Sequence, residues 1–228
     1  MKLSNYCLIG MGILISTTLF GGQTAQAVDP ETSEALFELQ ESDPLNPTVP
    51  GIIDEGIKPP TNQLGPLSID AVTSFQFGTR KLGQEGGDLI TASPIAPATK
   101  LGVQVTDDRG QDLGWNLKVK ASKFMSVGTE TAFELEGAAI TIPEGTLRGK
   151  EGISLALKPT AFAVTLNETE QSIMKASTTQ GRSSWLNYFN GGADGTGTNP
   201  VTLSVPAGNK KANYKSTLTW TLEDAPGA

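Results

Sequence analysis

The chain carries one cysteine, Cys7, and no histidine. Beyond residue 27 it has neither, and that exclusion is broad. Disulfides cannot staple the fold, so a hydrophobic core has to hold it. Thiolate and imidazole metal sites, cysteine nucleophiles and Ser-His-Asp triads drop out with the side chains they need. No metal and no cofactor is expected. After residue 27 no apolar run approaches the roughly 18 residues a membrane span requires. No hydrophobic tail follows the last charges, as a sortase-type signal would need, so nothing covalent is expected to fix the chain to a surface.

What the first 27 residues do contain is an address. Lys2 precedes the run "YCLIGMGILISTTLF", and Ala25-Gln26-Ala27 then offers small residues for cleavage after Ala27. A basic start, a short apolar stretch and such a site describe a secretory signal peptide. Cys7 lies inside the apolar run with no lipobox before it, which argues against a lipoprotein.

Residues 28–66 hold seven of the 14 prolines, eight acidic residues and one base, Lys58. The rest, Leu67 to Ala228, has 16 acids and 15 bases, so the acidity behind a pI of 4.7 belongs to the N-terminal tail. Acidic, proline-rich and aromatic-poor sequence buries too little apolar area to order itself, and 28–66 reads as a disordered linker. One piece departs from this. In "DPETSEALFELQES", Asp29 is a plausible N-cap, Pro30 suits the first helical position, and Leu36 and Leu39 share a face beside Phe37. A short helix is expected there, or a docking segment that folds on a partner.

From Leu67 the pattern becomes β. "LSIDAVTSFQF", "LGVQVTD", "LGWNLKVKA", "TAFELEG", "AAITIP", "ISLALKP", "AFAVTL", "VTLSVP" and "YKSTLTWTL" are short runs rich in β-branched and aromatic residues, with turn formers between most of them. Leu113, Trp115, Leu117, Val119 and Ala121 alternate with Gly114, Asn116, Lys118 and Lys120; Tyr214, Ser216, Leu218, Trp220 and Leu222 alternate with Lys215, Thr217, Thr219 and Thr221. These are period-two patterns of half-buried antiparallel strands. The expected fold is all-β, an antiparallel β-sandwich of about nine strands. Residues 183–200 are a long strand-poor insert whose Gly-Asn-Asp-rich end is expected to be an exposed loop. Trp185, Tyr188, Phe189 and Asn190 precede that end, and Trp185, Tyr188 and Asn190 are expected to form an accessory aromatic loop. Its aromatic and amide side chains suit sugar binding.

Two of the three tryptophans occur as Trp-x-Leu, at Trp115-Leu117 and Trp220-Leu222. On a strand, residues two apart share a face, so each pair is a double apolar projection. It is either core or a platform for a sugar ring or a partner's side chain. The longer context, "GPLSIDAVTSFQFGTRKL", "GWNLKV" and "YKSTLTWTLEDAPGA" in that order, closely resembles the WxL domain of Gram-positive surface proteins. The distal motif falls on Trp115 and Leu117. The proximal one, Tyr-x-x-x-Leu-Thr-Trp-x-Leu-x-x-x-Pro, matches at Tyr214, Leu218, Thr219, Trp220, Leu222 and Pro226.

This resemblance implies a secreted, non-catalytic protein at the cell surface or wall, attached noncovalently to peptidoglycan, with WxL-interacting proteins and other surface proteins as companions. The alternative is an assembly module that binds those companions and is retained on the wall through them. No nucleic-acid partner is expected. An enzyme reading rests on little: Ser172 and Lys175 spell S-x-x-K, but that chemistry needs a helix start and a downstream Lys-Thr-Gly, which is missing. Pairs such as Asp107-Asp108 and Glu223-Asp224 read as turn and solubility residues. Asp194 alone is too few carboxylates for a calcium loop.

Overall fold

The computed structural model describes residues 36–38, 51–83, 88–190, 192 and 195–224. Ala27, Asp194 and Pro226 lie outside the described residues, as does most of the segment expected to form a short helix. The three residues of it that are described, 36–38, are not helical, and Leu36 and Phe37 are exposed. The chain divides into two units, Met1–Glu38 and Leu39–Ala228, and every described strand lies in the second.

The strands are β1 (Leu67–Val72), β2 (Phe75–Gln76), β3 (Ile90–Thr91), β4 (Ser93–Pro94), β5 (Gly102–Asp107), β6 (Trp115–Ala121), β7 (Met125–Val127) and β8 (Ala139–Ile142). There follow β9 (Thr146–Gly149), β10 (Thr160–Ala161), β11 (Val164–Thr165), β12 (Gln171–Ala176), β13 (Ser183–Tyr188), β14 (Thr202–Ser204), β15 (Asn213–Lys215) and β16 (Leu218–Glu223). All pairings are antiparallel. Three four-stranded sheets run β1-β5-β13-β9, β10-β12-β6-β16 and β11-β8-β14-β3, with two small pairs, β15-β7 and β2-β4. The sheets close on one apolar core, to which Val103 and Val105, Trp115 and Leu117, and Ile140 and Ile142 contribute from the three respectively. The all-β sandwich expected from the alternation is what the chain forms.

The strand count differs, for local reasons. "ISLALKP" is not a strand: Leu155–Leu157 make a 3-10 turn capped by Ser154 Oγ, with Leu155 exposed. "TAFELEG" contributes only an isolated bridge at Glu134. Six strands sit where none was expected: the short β3, β4, β7 and β9, and the longer β12 and β13.

β13 overturns the accessory-loop reading of Trp185 and Tyr188. It lies between β5 and β9, and Trp185, Leu186, Asn187 and Tyr188 are all fully buried. A strand covered on both faces loses the polar–apolar alternation that marks a half-exposed one.

What covers the second face is the end of the supposed linker. The packed structure starts before Leu67, because residues 51–63 cross the outside of the β1-β5-β13-β9 sheet as a strap. Ile57 is fully buried against Ala71, Leu186 and Tyr188, with Ile52 and Ile53 beside it. Burying that one side chain is worth about 1.5–3 kcal/mol. Gln104 reads the strap backbone, accepting from Ile53 N at 2.7 Å and donating to Gly51 O at 3.0 Å. Thr61 N donates to Asp70 O at 2.8 Å and Gln63 Oε1 accepts from Ile69 N at 2.9 Å, so the outer edge of β1 is occupied too. Composition hid this, since prolines and acids surround only three isoleucines.

Candidate functional site

β6 pairs with β16, which brings the two Trp-x-Leu motifs onto neighbouring strands. Leu222 lies opposite Leu117 and Trp220 opposite Val119. The leucines therefore meet across the ladder, and the tryptophans extend from them in opposite directions along the strands. Leu218, Trp220 and Leu222 turn toward the core. On the other face Thr221 donates to Glu170 at 2.9 Å, and Lys118 pairs with Glu223 at 2.6 Å. Thr219 is exposed.

The two tryptophans are not equivalent. Trp115 is 0% exposed, and its Nε1 donates to Gly181 O at 3.1 Å. Its setting is tight. Gly181, with φ of 80°, would place a Cβ 2.4 Å from that Nε1, and Gly114, with φ of 70°, would place one 2.4 Å from Ala176 O. Both positions exclude a side chain by conformation and by space. Trp115 and Leu117 are core.

Trp220 is half-buried on β16, one of the two edge strands of its sheet. Its ring stacks on Phe189 at 5.9 Å between centroids and 8° between planes. Phe189 meets Phe75 edge-on at 6.0 Å, and Phe75 meets Phe77 at 6.4 Å. Of these four rings only Phe189 is fully buried. The row thus runs from Trp220 through the core to two half-exposed rings on and beside β2. Phe189 follows β13 directly, so the aromatic segment touches the motif through this ring. Trp185 does not, being buried with Nε1 on Arg182 O at 3.0 Å. Asn190, half-buried just past β13, has its Oδ1 enclosed without a hydrogen-bond partner among the described residues.

Tyr214 belongs to a separate pair, opposite Ser126 on β7. Its ring packs edge-on against Phe133 at 5.9 Å and its hydroxyl donates to Lys210 O at 2.6 Å, fixing the approach to β16.

Arg109 is a residue that the motifs did not point to. Its Nε and Nη2 grip both carboxylate oxygens of Asp107, at 2.9 and 2.8 Å. Nη1 donates to Asp224 O and Nη2 to Gly114 O, each at 2.8 Å. One guanidinium thus joins the chain entering β6 to the chain leaving β16, and clamps the motif strands at one end. Hydrogen bonding to Asp107 raises its pKa further. Asp107 is consequently buried, not a turn or solubility residue. Its only signals were a carboxylate at the end of a strand and an arginine two residues on.

Two further polar groups hold the strap. Asp54 Oδ2 accepts from Lys100 Nζ at 2.7 Å and from Tyr188 Oη at 2.6 Å, and Oδ1 accepts from Gly56 N at 2.7 Å. Burial pushes the Asp54 carboxyl up, but these bonds outweigh it and hold the pKa at about 2. Burial and the Asp54 acceptor push Tyr188 up to about 12. Asp70, under the strap, is raised by burial despite bonds from Thr106, Ser68 and Gln104.

Ser172 and Lys175 lie on β12, a strand and not the start of a helix, which removes the S-x-x-K geometry. Among the described residues no helix is long and apolar enough to cross a membrane.

No curated protein and no solved structure matches the chain. A family model does, that of the WxL domain, surface cell wall-binding, over residues 21–226. With paired Trp-x-Leu strands at its centre and that match over nearly its whole length, the chain belongs to the WxL domain family of surface cell wall-binding proteins.

Proposed function

We propose that this is a non-catalytic protein of a Gram-positive cell surface, secreted through its N-terminal signal and held noncovalently on peptidoglycan by the β domain. The observation that carries the reading is the half-exposed Trp220 on an edge strand, backed by Phe189 and continued by Phe75 and Phe77. Aromatic rings with one face packed and another reachable give a rigid apolar surface that loses little entropy when a sugar ring settles on it. The buried Trp115 and Leu117 support that surface from within and make no contact with the wall. The domain's near-neutral charge suits a wall lined with anionic polymers, since a strongly acidic domain would be repelled.

The test is cosedimentation of the purified protein with protein-free peptidoglycan sacculi, beside a Trp220→Ala variant. The wild type is expected to pellet, and the variant to remain in solution while keeping its circular dichroism spectrum. Equal pelleting of the two would remove the aromatic row from the mechanism.

One observation favours the second reading, an assembly module for WxL-interacting and other surface proteins. β16 ends its sheet, so among the described residues one side of its backbone has no partner strand and could be paired by a partner's strand. In that case nothing pellets until a companion surface protein is added.

A further inference from the structure

The aromatic row ends at an open pocket. Phe77, its last ring, shares a concavity of about 350 Å³ with Gln76, Arg80, Leu89, Thr91 and Ser93. The lining is chemically mixed. Phe77 gives a half-exposed ring, Leu89 an exposed apolar side chain, Gln76 an amide, and Thr91 and Ser93 hydroxyls on exposed residues. Arg80 is exposed and forms no ion pair among the described residues; its Nη1 reaches only the carbonyl of Thr79, at 3.3 Å. Arg109, by contrast, has every donor group committed within the fold.

A guanidinium is a planar fork that matches a carboxylate through two parallel hydrogen bonds. Amide and hydroxyl groups beside it match the hydroxyl and acetamido groups of a sugar, and an aromatic ring matches its C–H face. We infer that this pocket is the part of the wall-binding surface that takes a carboxylate, held close beside a saccharide ring. The chemical class is a carboxylate-bearing glycopeptide fragment of the wall. The inference rests on the wall-binding reading. It adds that recognition has an ionic half at Arg80 besides the stacking half at Trp220, with Phe75 and Phe189 between them.

The experiment uses sacculi in three forms: native, stripped of phosphate-containing polymers with hydrofluoric acid, and stripped then amidated to neutralise the carboxylates. Wild-type protein and Arg80→Gln are pelleted with each. Arg80 anchors no described element, so the variant should melt with the wild type. Losing one charge-assisted pair should weaken binding roughly tenfold. The wild type is expected to bind native and stripped sacculi alike and amidated sacculi roughly tenfold less, with Arg80→Gln at that lower level on all three. Binding by Arg80→Gln equal to the wild type on native sacculi overturns the Arg80 assignment and leaves the wall-binding reading standing. Loss on stripping moves the anion to phosphate and overturns the carboxylate. Failure of the wild type to pellet with native sacculi overturns both readings together.

Discussion

Replacing each motif tryptophan by alanine separates support from presentation. Trp115 is enclosed on all sides, so Trp115→Ala removes about 200 Å² of buried apolar surface, worth about 5 kcal/mol gross at about 25 cal/mol per Å². It also leaves Gly181 O without its donor. Collapse around the gap recovers part of this, and the net cost should be about 3–5 kcal/mol. Trp220 is only half-buried and lies on an edge strand, where the void opens to water and no sealed cavity forms. Relaxation at the open edge recovers part of what its buried area is worth, leaving about 2 kcal/mol. For a domain of this size each kcal/mol moves the midpoint by about 2–4 °C, so Trp115→Ala should melt about 6–20 °C lower and Trp220→Ala about 4–8 °C lower. Circular dichroism melts at one pH and salt give both numbers. The reasoning fails if the two losses are equal or if Trp220→Ala costs more, because burial would then not set the difference.

Arg109→Met should destabilise by about 3–5 kcal/mol in urea titrations, because Asp107 stays buried without its partner. Adding Asp107→Asn should recover part of that loss, and no recovery would mean that the contacts to Gly114 and Asp224 dominate. Removing everything before Leu67 takes away the strap. The shortened domain should melt lower and bind an apolar dye over Leu186 and Tyr188, and an unchanged melt would show that the strap does not hold. The Asp54 pKa is lowered from 3.8 to about 2, so its contribution is present above 3.8 and fades as the pH falls toward 2. Tyr188 is raised from 10.0 to about 12, so its contribution is present below 10.0 and fades as the pH rises toward 12. The stability difference between wild type and Asp54→Asn should accordingly be flat between pH 3.8 and 10.0 and shrink on either side. A steady slope through neutrality in a series of melts would contradict this.

The motif strands were legible because each has one wet face. Lys118 and Lys120 on β6, and Thr219 and Thr221 on β16, mark that face as plainly as the tryptophans mark the other. β13 was not legible, because its two faces meet the core and the strap, and Ser, Asn and Trp then follow one another without rhythm. The strap itself depends on three isoleucines whose partners come from elsewhere in the chain, and a linker composition concealed them. In "ISLALKP" the alternation was present, but the Ser154 cap and an unburied Leu155 let a 3-10 turn form instead. The family motif located Trp220, though not Phe189 behind it, because the stack joins residues that no local pattern relates.

The row Phe75–Phe189–Trp220 takes one ring from β2, one from just past β13 and one from β16. Stretches so far apart along the chain come together only through slow, non-local closure. No fragment of the chain carries this surface, and a half-folded copy presents none of it. Retention on the wall would then select for completed domains, and a copy whose sheets had failed to close would wash away.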